Sequence, residues 1–260
     1  MAEITAALVK ELRDATGISM LKCKQALEKS AGDLEKARDI LRKQGEADAA
    51  KRSEKAAGEG VVALKISEDS KKGAILQLFC ETDFVAKGDN FTNLAEELAG
   101  VALEKGADEM KIASAEKIQE GIQKNGENIK LGAVEILAGE RIASYLHSNG
   151  KIGVLVSFSG DEETGKDVAM QIAAMNPRVV NPDEIPNEEV AKEKEIQKEM
   201  LAKENKPAGI IEKILEGKLR KFREEQSLMK QAFVKDSSKT VETFLNEKNA
   251  KVEKFVRLSI

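Results

Sequence analysis

Few groups in this 260-residue chain are suited to covalent chemistry: Glu81 and Asp83 two positions apart, Cys23, Cys80, and a single histidine, His147. Neighbouring carboxylates can divide acid and base work, and a cysteine beside a histidine can act as a nucleophile. Neither arrangement has supporting residues here. With 34% of the residues charged, two nearby carboxylates arise from composition alone. His147 lies in Tyr145-Leu146-His147-Ser148-Asn149-Gly150-Lys151, which reads as a hairpin turn, with no ligand cluster or triad spacing around it. Phosphate-binding glycine loops, a Gly-x-Gly-x-x-Gly run after a strand and nucleophile motifs are missing from the sequence. The expectation is a protein that is not an enzyme and takes no cofactor or metal.

The residue that calls for explanation is Phe84. Gly73 to Cys80 is short, apolar and compatible with a strand, whereas Phe91 to Val101 repeats apolar residues at helical spacing. Glu81-Thr82-Asp83-Phe84-Val85-Ala86-Lys87 therefore lies at a strand-to-helix junction. A large aromatic there serves either as a knob offered to a partner or as core folded under the following helix.

Composition narrows the surroundings. Aromatics make up 3% and tryptophan is absent, so the core must be aliphatic. With 42 basic against 46 acidic residues the net charge is −4, which argues against a phosphate-binding surface and against nucleic acid as a partner. Mixed signs from Lys192 to Lys206 read as a solvated helical face. Cys23 and Cys80 read as small reduced core residues. Met1-Ala2-Glu3-Ile4 does not open a signal segment, and no apolar run approaches membrane-spanning length, so a cytoplasmic chain without membrane contact is expected.

Residues 1–45 read as three short helices. Thr5 caps the first, which buries Leu8, Val9 and Leu12 and ends at Gly17; Ser19 caps the second, with Cys23, Ala26 and Leu27 inward and Gly32 at its end. Asp33 caps the third, carrying Leu34, Ala37, Ile40 and Leu41 up to Gly45. Glu46 to Gly60 reads as a loose helix or a tether. Val62-Ala63, Gly73-Ala74-Ile75-Leu76 and a helix from about Phe91 recur, at an offset of eighty, as Ile142-Ala143, Gly153-Val154-Leu155-Val156 and a helix from about Lys166. That is the pattern of a duplicated ββα unit, each sheet covered by helices on one face. A thin seam of Val190, Ile196, Met200 and Leu201, broken at Pro207-Ala208-Gly209 and resumed by Ile211, Ile214, Leu215, Leu219 and Phe222, predicts two antiparallel helices joined by a short turn. Phe233-Val234 is read as extended, Thr240 to Lys248 as a short helix and Val256 to Ile260 as a half-buried strand. The fold class is α+β: a three-helix N-terminal domain (1–52), a linker (53–60), two related sheet-plus-helix subdomains (61–140, and 141–186 with 231–260) and an inserted antiparallel helical hairpin (187–230).

Two stretches resemble the elongation factor Ts family. Cys80-Glu81-Thr82-Asp83-Phe84-Val85-Ala86-Lys87 looks like its signature loop, and Leu12 through Leu27, containing Arg13-Asp14-Ala15-Thr16-Gly17, is similar to its amino-terminal motif. Met20-Leu21 stands where many relatives carry two methionines, and Leu131-Gly132, one residue beyond Gly126-Glu127-Asn128-Ile129, stands where relatives often carry a basic pair. The resemblance runs along the whole chain and is closest at the two motifs and near His147.

The resemblance implies a ubiquitin-associated-type helical domain at the start, a coiled-coil hairpin, and guanine-nucleotide exchange on elongation factor Tu in its GDP-bound and nucleotide-free states. It implies Phe84 as a wedge near the magnesium side of the nucleotide pocket, with Thr82, Asp83 and Val85 beside it. Arg13, Met20 and Leu21 would grip a second surface, and His147 would face the partner elsewhere. A homodimer through the second subdomain and a monomer are both compatible with the sequence. The competing reading is a helical adaptor or chaperone-like ribosome-associated protein.

Overall fold

Local chemistry sets the limits of the first helices. The computed structural model describes residues 4–202 and 207–260, so the chain start and residues 203–206 lie outside the described residues; at the expected break Pro207-Ala208-Gly209, Pro207 stands just before a helix that already contains Ala208 and Gly209. In α1 (Ala6–Thr16) the Thr5 hydroxyl accepts from Leu8 N, and Gly17 ends the helix at φ 69°, a left-handed conformation that costs glycine little. α2 (Met20–Lys29) follows Ser19, which sits at the cap without a side-chain hydrogen bond. α3 (Leu34–Arg52) starts at Asp33, whose carboxylate accepts from Lys36 N. Leu12, Cys23, Leu27 and Leu41 close a small core among the three.

The first sheet has the antiparallel order β1 (Glu59–Ile66), β2 (Lys72–Cys80), β3 (Lys130–Ala138), and β2 leads through α4 (Asp83–Ala86), α5 (Asp89–Lys105) and α6 (Ala107–Asn125) before the chain reaches β3. In the second half β4 (Arg141–Leu146) and β5 (Ile152–Ser159) precede α7 (Glu162–Met175). The chain then leaves the sheet region as α8 (Asn187–Ala202) and α9 (Ala208–Glu225). It returns through the two-stranded ribbon β6 (Ala232–Phe233) and β7 (Asp236–Thr240), then α10 (Val241–Glu247), and ends in β8 (Lys251–Ser259), which completes the order β4-β5-β8. The polar strand β7 was not expected from the sequence.

The duplication extends to the pairing register. Val62 opposes Gln77 in the first hairpin and Ile142 opposes Ser157 in the second, both shifted by eighty residues. Gly73 opposes Leu137 as Gly153 opposes Leu258, and a bulge interrupts the pairing at Leu76/Leu78 and again at Ser157/Phe158. Strand alternation divides each sheet into two faces. Ala63, Ala74, Leu76 and Leu78 pack under α5, while Val154, Val156 and Phe158 pack under α7. The opposite faces meet, with Val62 and Ile75 against Ile142 and Leu155. The layers are therefore helices, sheet, sheet, helices, and each fully buried Ile or Leu contributes about 1.5–3 kcal/mol.

At that inner contact two glycines are used reciprocally. A Cβ on Gly73 would stand 3.0 Å from Leu155 Cδ1, and one on Gly153 would stand 2.5 Å from Val62 Cγ1. The two sheets approach through these positions.

Two expectations are corrected. α3 does not end at Gly45 but continues to Arg52, so residues 46–52 take the helical one of the two expected forms and are not a tether. Gly45 is tolerated inside the helix because a Cβ there would come within 2.8 Å of the Gln123 side chain on α6, and Gln123 also donates its amide hydrogen to the Leu41 carbonyl. The close approach of α6 offsets the glycine's helix penalty of about 1 kcal/mol. In the hairpin, Ile196 and Met200 do not line the seam and are each 52% exposed. Val190 and Leu201 are buried, and between them Gln197 donates to Glu193 (2.6 Å) and accepts from Lys218 of α9 (2.8 Å). Helical spacing puts 190, 193, 197 and 201 on one face, so the seam has a polar centre and the two large apolar residues point away.

Candidate functional site

β2 ends at Cys80, a buried free thiol that burial pushes up to a pKa of about 11, which leaves it protonated and inert. Its Sγ donates to the Thr82 carbonyl at 3.2 Å. Thr82 then starts a single helical turn, α4, and its hydroxyl accepts from Val85 N at 3.4 Å. Ala86 N bonds to Thr82 O and Lys87 N to Asp83 O, which closes the turn. The segment expected to be a loop is thus helical.

The turn aims its side chains. Ala86 is buried in the first-half core and Val85 packs against that core. At about 100° per residue, position 84 lies on the opposite side from position 86. Phe84 accordingly projects outward, 84% exposed, the most exposed of the large apolar side chains among the described residues. Its ring is not core for the following helix; Phe91 fills that role, fully buried in α5. Asp83 is half-buried and accepts from Lys87 at 2.7 Å, which holds its carboxyl below the usual carboxylate range.

Under the turn lies a carboxylate network that sequence reasoning missed. Glu127, just past the α6 cap, accepts from Glu81 N (3.1 Å) and Thr82 N (3.0 Å) through Oε2 and from the Thr82 hydroxyl (2.6 Å) through Oε1. Glu81 replies by accepting from Asn128 N at 2.7 Å. Its carboxylate also accepts from Arg52 Nη1 at 3.0 Å and Lys55 Nζ at 3.3 Å, which ties the end of α3 to the turn. The Asn128 N–H, followed by the Arg52 and Lys55 side chains, holds the Glu81 carboxyl below its ordinary range. The partners lie 26 to 47 positions apart, so no local pattern announces them.

The other expected contact residues lie on separate elements. Arg13 is exposed in the last turn of α1, where its carbonyl accepts from Gly17 N, and Met20 and Leu21 are exposed in the first turn of α2. His147 is exposed on the β4–β5 hairpin, with Nδ1 3.0 Å from the Tyr145 hydroxyl. That hairpin reaches the start of β1: Gly150 O accepts from Val62 N at 2.7 Å, and Lys151 bonds to Glu59 at 2.7 Å. Glu59 in turn opposes Cys80, the residue before Glu81. The structure joins Thr82 to Val85 in one turn and seats the His147 hairpin at the same end of β1. At Gly132 a Cβ would stand 2.5 Å from the Phe79 ring.

The described residues contain no group of acidic, His or Cys side chains able to hold a metal, and no described helix is long and apolar enough to cross a membrane. The arrangement is an outward-facing aromatic side chain on a hydrogen-bonded turn, with exposed patches on other elements. The family model described as "Elongation factor TS" matches residues 81–260. The curated proteins named "Elongation factor Ts" from Yersinia pestis (strain Pestoides F) and Yersinia pseudotuberculosis serotype O:1b (strain IP 31758) are each 47% identical over 264 residues, covering 100% of this chain and 92% of the relative.

Proposed function

Since the chain belongs to the elongation factor Ts family of translation elongation factors, we propose that it is a guanine-nucleotide exchange factor which docks on GDP-bound elongation factor Tu in the cytoplasm and speeds GDP release. The observation that carries this reading is the 84% exposure of Phe84 on a turn whose neighbours are anchored in the core. A GTPase holds its nucleotide through a phosphate-cradling loop and a magnesium ion bridging protein and phosphate oxygens. A benzyl group wedged beside the helices behind that ion displaces them and weakens both holds. No bond is made or broken in this step. By linkage, whatever factor the protein takes from GDP affinity, GDP takes from the affinity of the protein for its partner. GTP then binds the emptied site and releases the exchange factor.

In this reading Phe84 is the wedge, Thr82 and Asp83 shape its turn or meet polar groups of the partner, and Val85 anchors it. Arg13, Met20 and Leu21 of the N-terminal module (1–52) grip a second surface, and His147 engages a third from the second half. The testing experiment is stopped-flow release of a fluorescent GDP analogue from purified elongation factor Tu. Wild-type protein is expected to accelerate release and Phe84→Ala to lose at least about tenfold of that acceleration, or about 1.4 kcal/mol. Unchanged acceleration by folded Phe84→Ala would remove the ring from the mechanism.

A further inference from the structure

Phe84 is held out into solvent although exposure of a large aromatic gains the free protein nothing, so something must resist its collapse onto the surface. Backbone hydrogen bonds within α4 supply only one turn, and isolated turns are marginal in water. The additional restraint comes from outside the turn. Glu127 takes both backbone N–H groups that enter it, from Glu81 and Thr82, and the Thr82 hydroxyl as well. Thr82 thereby spends its proton on Glu127 and its lone pair on Val85 N, so the cap of α4 is oriented by a residue of the α6–β3 junction. Hydrogen bonds to an ionised acceptor are about twice as strong as neutral ones.

We propose that Glu127 is the positioning residue of this site, mounting the Phe84 turn through three hydrogen bonds, with Glu81 as its reciprocal partner. The two junctions exchange carboxylates: Glu127 receives Glu81 N, and Glu81 receives Asn128 N. Glu81 extends the mount to Arg52 at the end of α3, the last helix of the N-terminal module. The knob and the α1–α2 patch are thereby held on one preset frame, which lowers the ordering cost of a docking that uses both. This inference rests on the reading of Phe84 as the wedge, but its structural half is measurable without any partner.

The experiment compares wild type, Glu127→Ala, Glu127→Gln, Thr82→Val, Phe84→Ala and Glu127→Ala/Phe84→Ala in the full chain. Amide hydrogen exchange of the free protein is expected to accelerate about tenfold across residues 81–88 in Glu127→Ala, with α5 and both sheets unchanged. Glu127→Gln retains part of the protection because its amide oxygen still accepts, and Thr82→Val attacks the same mount from the other side without touching Glu127. In GDP release, Glu127→Ala is expected to lose several-fold of the acceleration, and the double variant to be no slower than Phe84→Ala alone, because the mount acts only through the ring. Unchanged protection of residues 81–88 in both Glu127→Ala and Thr82→Val overturns the proposal. So does lost protection with wild-type acceleration, or a double variant whose loss is the product of the single losses. If Phe84→Ala accelerates GDP release like wild type, the wedge reading fails and the positioning role fails with it, while protection of the turn still reports separately whether Glu127 holds it.

Discussion

The two sheet-plus-helix halves share their hairpin register and even the position of their bulge, yet they leave the middle strand differently. In the second half only Gly160 and Asp161 separate β5 from α7, and the Asp161 carboxylate caps the helix directly by accepting from Thr164 N at 2.9 Å. In the first half residues 81–88 separate β2 from α5 and contain the extra turn that carries Phe84. One half therefore uses the junction solely to stop a strand and start a helix, while the other inserts a mounted side chain at the equivalent place. A duplicated frame is stable through its sheets and helices, so the junction can diverge without disturbing either core.

Stability measurements test that contrast most sharply. Phe158 is buried beneath α7 and its ring fills the space left by Gly165, where a Cβ would stand 2.2 Å from Cζ. Phe158→Ala is expected to cost about 3–5 kcal/mol in urea unfolding, whereas Phe84→Ala should stay within about 0.5 kcal/mol. Comparable losses would mean that both rings are structural. Next in size are the reciprocal glycines of the inner contact. Gly153→Ala drives a methyl against Val62, a branched side chain on a strand, and is expected to cost about 1–3 kcal/mol. Gly73→Ala meets the ends of Leu155 at 3.0 Å and should cost less, by the same assay. An equal or reversed order would show that the sheets do not pack as closely as these approaches require.

Removing the cap at the simple junction, Asp161→Ala, should cost about 1 kcal/mol by the same denaturant assay, with the loss confined to the start of α7 in hydrogen exchange. The smallest expected effect is on pH. Asp161 is held below its ordinary range by the Thr164 N–H, and Glu81 by the Asn128 N–H ahead of Arg52 and Lys55. A carboxylate depressed in the folded state stabilises fully above its unfolded value, and that stabilisation disappears as pH falls through the folded value. Unfolding free energy should thus decline from about pH 5 toward pH 3. Glu81→Gln and Asp161→Asn should each flatten that decline, and a slope unchanged in both would remove these carboxylates as its source.

Much of this architecture was legible beforehand because its signals are local. Thr5, Gly17 and Asp33 cap helices through bonds within three or four residues, and the short apolar run of residues 73–76 recurs at 153–156. Gly45 misled because a glycine's effect on a helix depends on its neighbour, and that neighbour is Gln123, 78 positions away on another helix. Ile196 and Met200 misled because a thin seam on a charged helix fits more than one face, and packing chose the face through Gln197 and Lys218.

By itself the sequence determined the α+β class, the duplicated strands and the family signature around Phe84, since each depends on residue type and short-range spacing. Only the tertiary structure decided that the aromatic ring faces outward and that Glu127 and Glu81 brace its turn. Those outcomes depend on side chains brought together from distant positions, where geometry in three dimensions, and no period along the chain, sets who meets whom.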